Sequence, residues 1–154
     1  MSEPILEFVQ CPDLQGTHRM AYWSWGNPAA SHVVLCVHGL TRQGRDFDVL
    51  AQALVASAQA ANLPAIRVIC PDVVGRGKSD WLKDPVGYQF AQYAGDMAVL
   101  LQTLNAQHPI ERLDWVGTSM GGVIGMLLAA QALPVPVSHL VLNDMAPWSR
   151  GPLF

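Results

Sequence analysis

The stretch Trp115-Val116-Gly117-Thr118-Ser119-Met120-Gly121-Gly122 decides the reading of this chain. An apolar, strand-like run at 113–116 leads into it and a Gly-rich apolar helix opens behind it. A serine hydroxyl is a poor nucleophile at neutral pH. Chemistry that uses one must hold it exposed at a tight turn, beside a base and beside donors for an oxyanion. Gly117 and Gly121 permit that turn, so Ser119 is the first candidate for a catalytic group.

Working outward, composition narrows the classes. The 154 residues are 51% hydrophobic, enough for one domain with a real core and too rich for a disordered chain. A net charge of −3 with no block of like charges predicts no nucleic-acid partner and no anionic membrane surface. The expected partner is a small, mostly uncharged molecule. Residues 121–130 carry no polar side chain, but Gln131 ends the run well short of the roughly 20 residues needed to span a bilayer. Glu3, Pro4 and Glu7 do not form the basic-then-apolar pattern of a secretory leader, which makes a cytoplasmic location the expectation. Cys11, Cys36 and Cys70 have no metal-type spacing, and an odd count argues for reduced thiols acting as small hydrophobes.

Strand-like runs lie at 5–10, 20–25, 33–37, 66–70, 113–116 and 140–142. The spacing predicts a helix over 47–60, with Phe47, Leu50, Leu54, Ala58 and Ala61 on one face. It predicts another over 93–104, with Tyr93, Met97, Leu100, Leu101 and Leu104. Two early strands joined by a short Gly-containing turn, then alternating strands and helices, indicate an α/β sheet that begins antiparallel and becomes parallel. Nothing marks a second domain.

Four segments in order carry a resemblance. They are His38-Gly39-Leu40-Thr41, Asp72-Val73-Val74-Gly75-Arg76-Gly77-Lys78-Ser79-Asp80, the stretch at 115–122, and Leu140-Val141-Leu142-Asn143-Asp144. Together they resemble the N-terminal half of an α/β-hydrolase over nearly the whole chain. The resemblance implies helices on both faces of the sheet. It also implies that residues 1–154 are the N-terminal half of one such domain, without the cap and the C-terminal strands.

The resemblance implies roles residue by residue. Ser119 would be the nucleophile, and the backbone N–H groups of Leu40 and Met120 would form the oxyanion hole. His38 and Gly39 would shape the oxyanion loop rather than act as a base. The Gly75-Arg76-Gly77 loop lacks the endings of a phosphate-binding loop or a dinucleotide fingerprint, so no nucleotide is expected. Asp72 and Ser79 would bond nearby backbone donors, and Arg76 and Asp80 would be structural rather than substrate-contacting. Trp23, Trp25 and Trp115 fit sheet positions, whereas Trp81 and Trp148 fall in loops where an aromatic could line an acyl pocket.

In α/β-hydrolases the triad runs Ser, then acid, then His along the chain, and the only histidine after Ser119 is His139, inside a strand pattern. Asp144 is a candidate acid, since some members take it from the end of this strand; hydrogen bonding to the following loop is the plainer role. The family reading is a serine hydrolase of carboxylic esters or related acyl compounds, with the triad histidine supplied outside these residues. Carbon–carbon bond hydrolases, lactonases and perhydrolases share the same elbow, whereas dehalogenases and epoxide hydrolases place an aspartate where Ser119 stands. No metal, nucleotide or flavin is implied. The alternative is a catalytically silent fragment or interaction module. The strand at 140–142 would present an apolar open edge, expected to associate with itself or with a polypeptide carrying the absent half.

Overall fold

The computed structural model describes residues 2–145. Six strands form one sheet: β1 (Ile5–Asp13), β2 (Gly16–Gly26), β3 (His32–Val37), β4 (Ile66–Pro71), β5 (Arg112–Thr118) and β6 (Val137–Asn143), in the order β1-β2-β4-β3-β5-β6. The β1–β2 hairpin and the β2–β4 pair are antiparallel, while β4, β3, β5 and β6 run parallel. The chain turns between β1 and β2 at Gly16, whose φ of 130° a side chain would resist.

Three α-helices cover the sheet: α1 (Asp48–Ala60), α2 (Phe90–Gln107) and α3 (Met120–Ala129). On one face Phe47, just before α1, and Ala51 and Ala58 of α1 pack against Trp25, Val34, Cys36, Val68 and Cys70. On the other, α2 and α3 bury Met97, Leu100, Leu104, Ile124 and Leu128 with Met20, Leu35, Ile69 and Trp115. Truncating one of these leucines to alanine would cost about 2–5 kcal/mol, the range for a fully buried aliphatic side chain.

All five apolar positions assigned to the second helix are buried, and that helix starts three residues earlier than its spacing predicts, at Phe90. The first helix departs from expectation. Phe47 closes a short 3-10 turn (Gly44–Phe47) ahead of α1, and Leu50 is exposed. The contacting face runs through Ala51, Leu54, Val55 and Ala58, which keeps the predicted Leu54 and Ala58 and replaces Leu50 by Ala51. The three cysteines are free and buried. Among the described residues, no helix is long and apolar enough to cross a membrane.

Candidate active site

The parallel register aligns Val37 of β3 with Gly117 of β5, and Gly117 with Leu142 of β6. The segments after these strands, carrying His38, Ser119 and Asp144, therefore emerge together at the carboxyl edge of the sheet, where ligands of open α/β folds bind.

Ser119 is exposed at the turn from β5 into α3, with φ 49° and ψ −112°. A non-glycine residue there stores roughly 1–3 kcal/mol of strain and persists only when its surroundings over-determine it. They do. Its N–H donates to the Asn143 carbonyl at 3.0 Å, and its carbonyl accepts from Gly122 N–H at 2.9 Å and Val123 N–H at 3.2 Å. The buried Trp115 Nε1–H donates to the Gly121 carbonyl at 3.0 Å, tying the helix start to the strand before it. Side chains at 117 and 121 are excluded by backbone: a Cβ on Gly117 would lie 2.5 Å from the Gly121 carbonyl carbon, and one on Gly121 would lie 2.5 Å from the Val37 carbonyl carbon.

The loop after β3 lies against this turn. A Cβ on Gly39 would sit 3.7 Å from the Ser119 Cβ and 3.6 Å from the Thr118 carbonyl. His38 is buried and spans the loop: its Nδ1–H donates to the Gly39 carbonyl at 2.7 Å, and its Nε2 accepts from Val73 N–H at 2.9 Å. These two partners require the neutral ring with the proton on Nδ1. Burial lowers the pKa below the ordinary histidine value, in keeping with that state. No lone pair is left for the Ser119 hydroxyl. Leu40 is 60% exposed, and its N–H, like that of Met120 at the start of α3, has no hydrogen-bond partner among the described residues. Both donors are thus left unspent in the segments that flank Ser119 and Gly39.

The Gly-rich loop after β4 supports this arrangement. The Asp72 carboxylate accepts from Gly44 N–H at 2.7 Å and Lys78 N–H at 2.8 Å. Ser79 Oγ donates to the Asp72 carbonyl at 2.6 Å and accepts from Ala21 N–H at 2.8 Å. Gly75 and Gly77 have φ of 82° and 53°, which turns Arg76 toward the site. Its Nε–H donates to the Leu40 carbonyl at 2.9 Å, and Nη1–H donates to the Val74 carbonyl at 2.8 Å and the Tyr93 hydroxyl at 3.3 Å. Arg76 is therefore structural in a particular way: it clamps the carbonyl of the residue whose N–H faces the site. The flanking glycines were the only sequence signal of this. Asp80 holds Arg19, accepting from its backbone N–H at 2.8 Å.

Of the remaining candidates, only Asp144 stays near Ser119. Asp144 is exposed at φ 54°, directly after the residue whose carbonyl holds the Ser119 N–H. His139 lies on β6 beside Asp114, Nδ1 to Oδ1 2.8 Å, and its partner belongs to the sheet rather than to the elbow. Asp114 is also bonded by His32; burial opposes its ionisation, but the hydrogen bonds from His32, His139 and Arg112 hold its pKa below the usual carboxylate range. Trp81 is exposed at 76%, and Trp148 lies outside the described residues.

One further polar cluster sits at the far edge of the sheet. Cys11 Sγ, an imidazole nitrogen of His18 and a carboxylate oxygen of Asp96 lie within 4.8 Å of one another, a donor set a metal could use. Both His18 nitrogens already face carboxylates, however, Asp13 at 2.8 Å and Asp96 at 2.7 Å, and Gln92 Nε2–H donates to the other Asp96 oxygen at 2.7 Å. The cluster is a proton-bridged network that fastens α2 to the hairpin. Burial pushes the Cys11 thiol up to about 12, so it stays protonated.

The α/β-hydrolase fold family model matches residues 32–151. This chain belongs to the α/β-hydrolase family. It is 52% identical over 147 residues to a 3-hydroxybutyrate-oligomer hydrolase of Cupriavidus necator, covering 95% of this chain and 45% of that protein. It is 34% identical to the lipase LipV of Mycobacterium tuberculosis, covering 77% of this chain and 39% of that one. Among solved structures, an α/β hydrolase from Novosphingobium aromaticivorans superposes with a TM-score of 0.73 at 39% identity, over 94% of this chain and 45% of that chain. The chain thus spans less than half the length of these relatives. These relatives are named as a hydrolase and a lipase.

Proposed function

We propose that this chain supplies the nucleophile and the oxyanion donors of a serine hydrolase acting on carboxylic esters or related acyl compounds. The observation that carries the reading is Ser119 exposed at a strained turn, packed against Gly39, with the Leu40 and Met120 N–H groups unpaired among the described residues. The Ser119 Oγ attacks the acyl carbonyl carbon while a base takes its proton. The carbonyl oxygen becomes an oxyanion facing the two N–H donors. Collapse breaks the bond to the alcohol, which leaves with the proton from the base, and water repeats the sequence to release the acid. Each oxyanion donor is worth about 10²–10³ in rate in such sites.

The base is the group these residues do not provide, since His38 is committed at both nitrogens and His139 pairs with Asp114. In this reading a histidine comes from polypeptide outside the 154 residues, and residues 1–154 form the N-terminal half of one domain. Val141 and Leu142, 53% and 43% exposed on β6, support that view, because β6 pairs only with β5 among the described residues. Asp144 stands next to this edge as a candidate acid.

An oligoester of a hydroxy acid is the first substrate to test, given the name of the 52% identical relative. The test is turnover of short p-nitrophenyl esters and of a 3-hydroxybutyrate dimer by the protein as its organism makes it, beside its Ser119→Ala variant. A loss of at least a thousandfold with retained folding supports the reading. Equal rates rule out a serine mechanism and favour a non-catalytic interaction module.

A further inference from the structure

A cleft of about 540 Å³ opens directly beside the oxyanion loop, lined by Thr41, Arg42, Gln43, Asp46, Arg76 and Gly77. Its walls are polar, which is unusual next to a site expected to take an apolar acyl group. Two guanidinium groups converge on it against one carboxylate, leaving the lining with one positive charge in excess. Each guanidinium is partly engaged by the protein and keeps nitrogens without an oxygen partner among the described residues. Arg42 Nε pairs with Asp46 while its side chain stays 67% exposed, and its terminal nitrogens have no partner among the described residues. Arg76 spends Nε and Nη1 on Leu40, Val74 and Tyr93, and its Nη2 meets only the Met120 sulfur, at 4.0 Å.

Such an arrangement suits a planar anion. The Asp46 contact and the clamps on Arg76 fix the side chains beforehand, which reduces the rotamer entropy lost on binding, and guanidinium nitrogens match the two oxygens of a carboxylate. The Thr41 hydroxyl and Gln43 amide are further donors in reach of the same space. Arg76 Nη2 lies 4.0 Å from the sulfur of Met120, the residue that follows Ser119, which sets the anion end of a substrate on the side of the elbow.

We infer that the Arg42–Arg76 cleft binds a free carboxylate of the substrate, so that the enzyme prefers esters bearing a carboxylate end, such as hydroxy-acid oligoesters, over neutral esters. This inference rests on the serine-ester reading above. The charge contributed by Arg42 sets the preference, and Arg76 Nη2 shares the anion.

The test compares kcat/KM for a 3-hydroxybutyrate dimer with a free carboxylate and for the same dimer capped as its methyl ester. Both are measured in the natural-length protein and in its Arg42→Gln variant. The expected result is a wild-type preference for the free acid that falls about tenfold in R42Q and that weakens with added salt. Taking the ratio cancels any damage the substitution does to the oxyanion loop as a whole. A ratio unchanged by R42Q, or a wild-type preference for the capped ester, overturns the inference. Either result leaves the serine reading standing if Ser119→Ala abolishes turnover of both esters. If Ser119→Ala keeps turnover, the serine reading fails and this inference fails with it.

Discussion

Replacing Gly121 by alanine should disable the elbow, and the structure gives the size of the effect. The added Cβ would lie 2.5 Å from the Val37 carbonyl carbon and 2.9 Å from the His38 carbonyl oxygen. Carbon atoms settle at about 3.5–4.0 Å, so the start of α3 and the end of β3 must separate by about 1 Å. No side chain can swing aside to absorb this, because both obstacles are backbone in the strand and loop that form the site. Overpacking of this kind costs about 1–3 kcal/mol. The displacement falls on Met120 N–H and on Ser119, and a misplacement of about 1 Å at a reacting centre costs on the order of 100-fold in rate. Urea unfolding and kcat/KM on a p-nitrophenyl ester, measured on the same preparation of G121A, read both quantities. Activity within threefold of wild type would refute the reasoning, since it would show that the turn does not depend on backbone touching backbone. A loss of stability without loss of activity would refute the coupling between the two.

A methyl at Gly95 has the opposite consequence: this exposed position inside α2 has nothing within 4 Å, so Gly95→Ala should raise the unfolding free energy by about 0.5–1 kcal/mol, read from a denaturant curve. Arg76→Ala releases the Leu40 carbonyl and should lower kcat by about 10–100-fold, a part of what losing an oxyanion donor outright would cost; Arg76→Lys should not restore it, because one ammonium cannot reproduce the fork that reaches Leu40, Val74 and Tyr93. The His18 network gives a pH signature. Burial opposes charging of His18, but the hydrogen bonds its ring donates to Asp13 and Asp96 outweigh it and raise the pKa, so its contribution is complete below 6.5 and is lost as pH rises through the raised value. Asp13, held low by the hydrogen bond from His18, contributes fully above 3.8 and loses that as pH falls through its lowered value. Burial raises the pKa of Asp96, the other partner, against the hydrogen bond from His18, so that contact already weakens above pH 3.8 as the pH falls; the stability difference between wild type and His18→Asn should therefore be greatest just below pH 6.5 and shrink above it, measured by urea unfolding at several pH values. Burial of His38 acts in the opposite sense, destabilising as pH falls through 6.5, but it is common to both proteins and cancels in the difference. A difference that grows toward pH 8 would contradict the proton-bridged reading of the cluster.

The elbow was legible in the sequence because everything that defines it is local. Gly117 and Gly121 bracket Ser119 within five residues, and the collisions their side chains would make lie within the turn itself or with the next strand in register. The apolar face of α2 was legible for the same reason, since a 3.6-residue period needs no knowledge of what it packs against. Its start was not: Gln89 makes no side-chain cap at the N-terminus, so neither a Ser, Thr, Asp nor Asn marked the boundary. At α1 the spacing placed Leu50 inside, whereas a 3-10 turn at Gly44–Phe47 precedes the helix and Leu50 faces out. That turn is fixed by the Asp72 carboxylate on Gly44 N–H, a bond between residues 28 positions apart that no periodicity reveals.

Distance along the chain explains the polar groups that sequence reasoning passed over. His18 and Asp96 are separated by 78 positions, and Arg76 reaches Leu40 across 36. Asp96 meets His18 because α2 packs on the β1–β2 hairpin, and Arg76 meets Leu40 because the sheet order sets β4 beside β3, bringing the loops after the two strands together. The functional consequence is a division of labour between two kinds of sequence signal. Glycines and a serine at fixed spacing say where the proposed nucleophile stands. Arg42, which carries no motif of its own, and Arg76, whose motif marks only a loop, acquire a shared cleft only once the strands are ordered, and in this family of shared elbows it is that later-assembled surface that would distinguish one ester from another.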